Sequence, residues 1–183
     1  MIKNALKIAV LALPIIVMAV LIGVHSHNRE NGKEWRIPIT GYDPIDPLRG
    51  HYLVFRYNWD WQEHMNVSCS GEECAVCLQE KTPSNPYNPM VYMTTLAMAE
   101  KQCDSFIKGH KLYPDEFKIG AKGGNGLTRY YIPEAEARKL DRLSRDESDH
   151  QFDIGLRVND SGQAFIEQMY IDGIALEEWI KKN

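Results

Sequence analysis

The seventeen residues from Ile8 to Val24 carry no charge and no strong polar group, and no other feature constrains the chain as tightly. With Ala5, Leu6 and Lys7 the segment reaches twenty residues, and Lys7 can extend its ammonium to the interface. A bilayer core of about 30 Å takes about 20 helical residues, so one transmembrane helix fits. Pro14 falls mid-span, where a membrane helix tolerates a kink. Secretory signal peptides have a shorter apolar region, about 7–15 residues, before a small-x-small cleavage site. Leu21-Ile22-Gly23 is a poor cleavage site, and no cysteine stands just after the span to take a lipid. The segment therefore reads as a retained anchor. Lys3 and Lys7 precede it, so the positive-inside rule places the N-terminus in the cytoplasm and the rest outside. The division expected is 1–27 for the stub and anchor and 28–183 for an extracytoplasmic domain.

Charge narrows what that domain does. Lys3 and Lys7 are the only charged groups in the first 24 residues, which leaves 19 bases against 25 acids in the remaining 159. A net charge of −6 there argues against a basic nucleic-acid surface. With 44% hydrophobic and 25% charged residues the chain is globular in composition and long enough for one real core.

The patterning of residues 28–183 is mostly that of strands. Phe152, Ile154, Leu156 and Val158 alternate with Asp153, Gly155, Arg157 and Asn159, a period of two that marks a half-buried strand. Asn159-Asp160-Ser161-Gly162 is turn chemistry, and Gln163–Ile171 resumes extended character, which predicts an antiparallel hairpin. Asp172-Gly173 is a further turn before Ile174–Ile180, a last strand or short helix. Trp35–Thr40 reads as a strand that Pro38 would confine to an edge. Asp43–Gly50 is a stiff turn, and His51–Trp61 follows as a long strand with one aromatic face. Pro133, followed by Glu134 and Glu136 and then Arg138, Lys139 and Arg142, starts a helix. Met90–Gln102 is open between strand and helix. The fold expected is a single N-terminal transmembrane helix followed by a β-rich α+β domain of mainly antiparallel strands and one or two short helices.

Chemistry-bearing motifs are sparse. Cys69, Cys74, Cys77 and Cys103 have the C-x4-C-x2-C…C spacing of a two-iron ferredoxin. The same residues would serve as a zinc site or as disulfides, and an oxidising compartment favours disulfides. Their pairing stays open, because four cysteines allow three connectivities. They fall in an insertion at about 62–105. Met90, Met93, Met98 and Cys103, or His64 and the His25/His27 pair, offer soft or imidazole ligands, but methionines more often fill cores. Gly120, Gly123, Gly124 and Gly126 make a loop without the G-x-x-x-x-G-K-[ST] pattern of a phosphate loop. There is no G-x-S-x-G and no H-E-x-x-H, so no catalytic residue and no cofactor is assigned.

Asp46-Pro47-Leu48-Arg49-Gly50-His51-Tyr52-Leu53-Val54-Phe55-Arg56-Tyr57, after the anchor and Trp35–Thr40, resembles the GDYXXLXP family of anchored bacterial proteins of unknown function. Arg129-Tyr130-Tyr131-Ile132-Pro133-Glu134 looks like a second landmark, and the hairpin ending at Asp172-Gly173 is similar too. The resemblance implies a β-rich extracytoplasmic domain, no catalytic residue, and an accessory role beside polytopic membrane proteins. Physically, the landmarks read as turns setting strand register, with Arg49, Arg56, Arg129 and Glu134 as ion-pairing candidates. The functional reading makes Tyr52, Tyr57, Trp59 and Trp61 an aromatic docking strand. The function expected is a single-pass bacterial inner-membrane protein whose periplasmic domain docks on a polytopic membrane protein without catalysis. The competing reading is a metal-binding or thiol-redox envelope protein using the four cysteines.

Overall fold

The computed structural model describes residues 2–43, 52–62, 65, 69, 74–81, 87, 89–113, 116–120, 127–133 and 150–182. The chain divides into two compact units, Met1–Gly32 and Lys33–Asn183. The first is one helix, α1 (Ile2–Glu30), with Pro14 inside it. At about 1.5 Å per residue its 29 residues run to about 43 Å. Its stretch Ala12–Glu30 is long and apolar enough to cross a membrane, a property that signal sequences share.

The second unit is built from strands whose apolar residues recur every second position. β1 (Lys33–Asp43) buries Trp35, Ile37 and Ile39. β2 (Tyr52–Tyr57) buries Leu53 and Phe55 on the same side, and β7 (Arg129–Tyr131) pairs beside it. β8 (Phe152–Val158) contributes Ile154, Leu156 and Val158; β9 (Ala164–Ile171) contributes Met169 and Ile171; β10 (Ile174–Ala175) closes the edge. These six strands form an antiparallel sheet in the order β10-β9-β8-β1-β2-β7. A second sheet has the order β4-β3-β5-β6, from β3 (Cys74–Gln79), β4 (Met90–Thr95), β5 (Ser105–Tyr113) and β6 (Glu116–Ile119). Its Val76, Leu78, Val91, Met93, Ile107, Phe117 and Ile119 join the inward residues of the first sheet in one apolar core. Two sheets that each bury one face against the other are a stable answer to this alternation.

Among the described residues two short helices finish the unit. α2 (Leu96–Gln102) lays Ala99 against Ala75 and Phe106 on the far face of the second sheet. α3 (Leu176–Lys182) sends Leu176 and Trp179 into the main core. Met90–Gln102 is thus both things: the β-branched half is strand β4 and the Leu-Ala-Met-Ala half is helix α2. Ile174–Ile180 divides the same way between β10 and α3. The Asn159–Gly162 turn holds as expected, with Asn159 Oδ1 accepting from the Ser161 and Gln163 amides at 3.1 and 2.9 Å.

One expectation fails. Pro38 does not confine β1 to an edge; β1 lies between β8 and β2. Lys33–Pro38 is in register with β8, and the β2 ladder begins at Ile39. The Pro38 carbonyl accepts from the Asn58 amide at 2.8 Å, so its donor-less nitrogen also faces the β2 side, just beyond the end of that ladder. Of the predicted turn Asp43–Gly50, Asp43 ends β1 and 44–50 lie outside the described residues, as do the helix after Pro133 and the part of the glycine-rich loop beyond Gly120.

Gly109 tests the second sheet. A Cβ there would run into the Lys118 carbonyl and the Phe117 ring, and the carbonyl belongs to the β5/β6 pair. Gly109→Ala is expected to cost about 1–3 kcal/mol, measured by urea unfolding of the full chain. Tryptophan fluorescence reports on this unit, since Trp35, Trp59, Trp61 and Trp179 all lie in it.

Candidate functional site

The two landmarks read separately from the sequence meet in space. Tyr52, Leu53 and Val54 pair with Tyr131, Tyr130 and Arg129 across β2 and β7. The Phe55 amide adds a bond to the Thr128 carbonyl at 3.0 Å. The Tyr57 hydroxyl donates to the Leu127 carbonyl at 2.7 Å, and burial holds its phenol far above the usual range. From Phe55 the aromatic row continues through Tyr57, Trp59 and Trp61, with centroids 5.3, 5.0 and 5.8 Å apart. This row packs on the core. Tyr52 and Trp59 are buried and Tyr57 and Trp61 are partly so, which removes the expected aromatic docking strand.

The exposed side of the same strand pair is different. Val54 is 37% exposed and Tyr131 69%, and Arg56 is exposed beside them. Arg129 lies over the Tyr52 ring, 5.0 Å from its centroid, and the Tyr52 and Tyr131 rings are 5.9 Å apart. Among the described residues neither Arg56 nor Arg129 makes an ion pair, and Arg129 rests on the Tyr52 face. Tyr130 is half-buried and Pro133 exposed. Arg49, Gly50 and Glu134 lie outside the described residues.

A second feature, absent from the sequence reading, sits on the outward face of β1, β8 and β9. Gly155 has no side chain, so Tyr170 lies across it and donates to Glu34 Oε1 at 2.8 Å; an added Cβ would stand 3.1 Å from the ring. Burial first, then the Glu34 bond, raises the Tyr170 phenol pKa. Arg36 is stacked between two rings, its guanidinium carbon 3.5 Å from the centroid of Tyr170 and 4.0 Å from that of Tyr87. Its Nη1 donates to the Gly173 carbonyl at 3.3 Å, while Nε is buried with no acceptor among the described residues. A buried donor left unmade costs about 1–3 kcal/mol. Arg36, Pro38, Tyr87, Asp153, Asp172 and Gly173, together with Gln151, line an open cavity of about 480 Å³.

Asp153 is only 8% exposed, and the one amide of Gln151 serves both of its oxygens, at 3.1 and 3.4 Å. Asp172 is held differently. It has a positive φ of 51°, accepts from the Gln151 amide at 3.0 Å, and meets His150 Nδ1 at 2.6 Å. The Gln151 bond first, with His150 assisting, lowers its carboxyl pKa. A further cavity of about 570 Å³ lies between β5, Gly120 and the β8–β9 turn, walled by Ile119, Leu127 and Phe165 and by His110, whose Nδ1 is 3.3 Å from the Gly120 carbonyl.

The cysteines are disulfides, Cys69–Cys74 and Cys77–Cys103, with Cα separations of 5.5 and 5.4 Å. Among the described residues no group of three or more His, Cys, Asp or Glu is arranged to hold a metal. Ser105-Phe106-Ile107-Lys108 has S-x-x-K spacing. It lies on strand β5, where positions three apart point to opposite faces, so Ser105 and Lys108 do not meet.

The GDYXXLXY protein family matches residues 14–169. The chain belongs to this family. Its name ends in Tyr where the sequence reading had Pro, so Gly50, Tyr52 and Tyr57 coincide with its lettered positions while His51 and Phe55 depart. In the GDYXXLXY landmark, the two matching tyrosines within the described residues make the contacts to β7 and Leu127 given above. No curated protein and no solved structure matches the chain.

The two disulfides differ in what they close. Chain-entropy arguments give about 3.5 kcal/mol for the 26-residue Cys77–Cys103 separation and about 2 for the 5-residue Cys69–Cys74 one. Serine replacement of each pair should show that order in urea unfolding. For Asp172, a depressed folded pKa means the carboxylate stabilises above the unfolded value of about 3.9 and loses this as pH falls through the folded one. The stability gap between wild type and Asp172→Asn should be present above the unfolded carboxyl value and close as pH falls below it in stronger acid.

Proposed function

We propose that the chain is a non-enzymatic accessory subunit, anchored in a bacterial inner membrane, whose periplasmic domain docks on a polytopic membrane protein. The exposed face of the family's own strand pair carries this reading: Val54 and Tyr131 are open to solvent, with Arg56 and Arg129 beside them. Aromatic and arginine side chains together are the composition of interface centres. Anchoring supports the choice of partner, because a tethered domain is confined near a membrane in which integral proteins are the concentrated neighbours. Lys3 and Lys7 before the apolar segment support the orientation.

The metal or thiol-redox reading is weaker, because the disulfides occupy all four cysteines. The non-enzymatic reading rests on the family landmark serving as architecture, its tyrosines committed to the sheet. A photo-crosslinking amino acid placed at Tyr131 in the full chain should capture a specific integral membrane protein in native membranes. The same probe at Glu100, on the exposed side of α2, should not. Arg56→Glu should reduce the Tyr131 product several-fold without changing urea unfolding. Equal labelling from both positions would refute the docking face.

A further inference from the structure

The cavity on the outward face of β1, β8 and β9 has a lining of mixed charge. Arg36 and Asp153 both line it, yet they form no ion pair with each other. Register explains this. Arg36 stands opposite Gly155, and Asp153 stands opposite Pro38, so the two charges are diagonal across the β1/β8 pair rather than facing. Among the described residues Arg36 donates to the Gly173 carbonyl at a long 3.3 Å and lies against Tyr170, while its Nε is buried without an acceptor. A guanidinium has five N–H donors in one plane, and the two tyrosine faces that clamp it leave that plane's edge as its polar outlet. Asp153 is buried, and the neutral amide of Gln151 is the donor it receives. Asp172, beside it, is already committed to the Gln151 amide and His150.

A simple anion entering the cavity would gain Arg36 but face two carboxylates. A simple cation would gain Asp153 but face the guanidinium. A molecule with both signs satisfies both groups at once, and the penalty on singly charged ligands provides selectivity. The volume of about 480 Å³ lies within the range of small-molecule pockets. The ring of Tyr87 and Pro38 give an apolar wall, while Gly173 adds no side chain to fill the space.

We propose that this cavity binds a small zwitterion of the α-amino-acid class, free or as a short peptide, with its carboxylate on the Arg36 guanidinium and its ammonium on Asp153. The site is separate from the docking face at Val54 and Tyr131, and it stands or falls without it.

Calorimetric titration of the full chain in lipid nanodiscs tests it with L-alanine, L-alanyl-L-alanine, N-acetyl-L-alanine and L-alaninamide. Saturable binding of either zwitterion is expected, and which of the two binds more tightly separates a free amino acid from a peptide. Blocking the ammonium or the carboxylate should weaken binding at least about tenfold, the value of one charge-assisted hydrogen bond. Asp153→Asn should do the same to L-alanine or the dipeptide while leaving circular dichroism unchanged. Should Asp153→Asn not fold, Tyr87→Ala, on the half-exposed wall, is expected to weaken binding in its place. The absence of binding by both zwitterions up to about 10 mM, or binding of the blocked compounds as tight as that of their parents, would overturn the proposal. So would unchanged affinity in the folded variant.

Discussion

β1 is the strand on which the domain depends, because it hands the sheet from one set of partners to another along its own length. Lys33–Pro38 is in register with β8, and from Ile39 onward the ladder to β2 takes over. Without that handover the β2/β7 landmark pair would be two strands detached from the β10-β9-β8 strands, too narrow to bury a face by itself. Three or more strands with a shared apolar side are needed for independent stability. Trp35, Ile37 and Ile39 run along the inward side of the overlap and tie both halves to the second sheet. The outward side is as organised. Glu34 takes the Tyr170 hydroxyl, Arg36 stacks on the same ring, and Pro38 marks the handover.

The family landmark finds its place in this arrangement. Its tyrosines sit where β2 must be fixed to β7: Tyr52 against Tyr131 and Arg129, Tyr57 on the Leu127 carbonyl. A buried hydroxyl with a short bond to a backbone carbonyl is costly to lose, since removing it orphans the acceptor. The landmark thus builds the outer strands of the sheet, and what it presents outward, Val54, Arg56, Arg129 and Tyr131, is the surface left to recognise something else.

Much of this was legible before any coordinates. The alternation from Phe152 to Val158 and the Asn159–Gly162 turn carry their own geometry, because a period of two and an Asx turn are local properties. The two landmarks were visible as separate stretches, but nothing in one sequence pairs residue 52 with residue 131. Pro38 misled for a related reason: a proline forbids a donor on one side of a strand, and only the register shows that no donor is asked for there. The cysteine pairing was open by combinatorics until β3 placed Cys74 and Cys77 on its opposite faces. The Arg36 cavity was invisible, since Arg36, Tyr87, Asp153 and Asp172 are ordinary surface residue types brought together by long-range pairing.

That the landmark completes one continuous sheet through β1 is the claim on which the rest of the account stands. Amide hydrogen exchange of the full chain in nanodiscs tests it at single-residue level, because exchange reports which strands open together. The account predicts that the Phe55 amide, bonded to the Thr128 carbonyl, is protected alongside the amides of Ile37 and Ile154 and is lost in the same cooperative opening. Rapid exchange at Phe55 while Ile37 and Ile154 remain protected would contradict it, leaving β2 and β7 as a loose flap on a sheet that ends at β1.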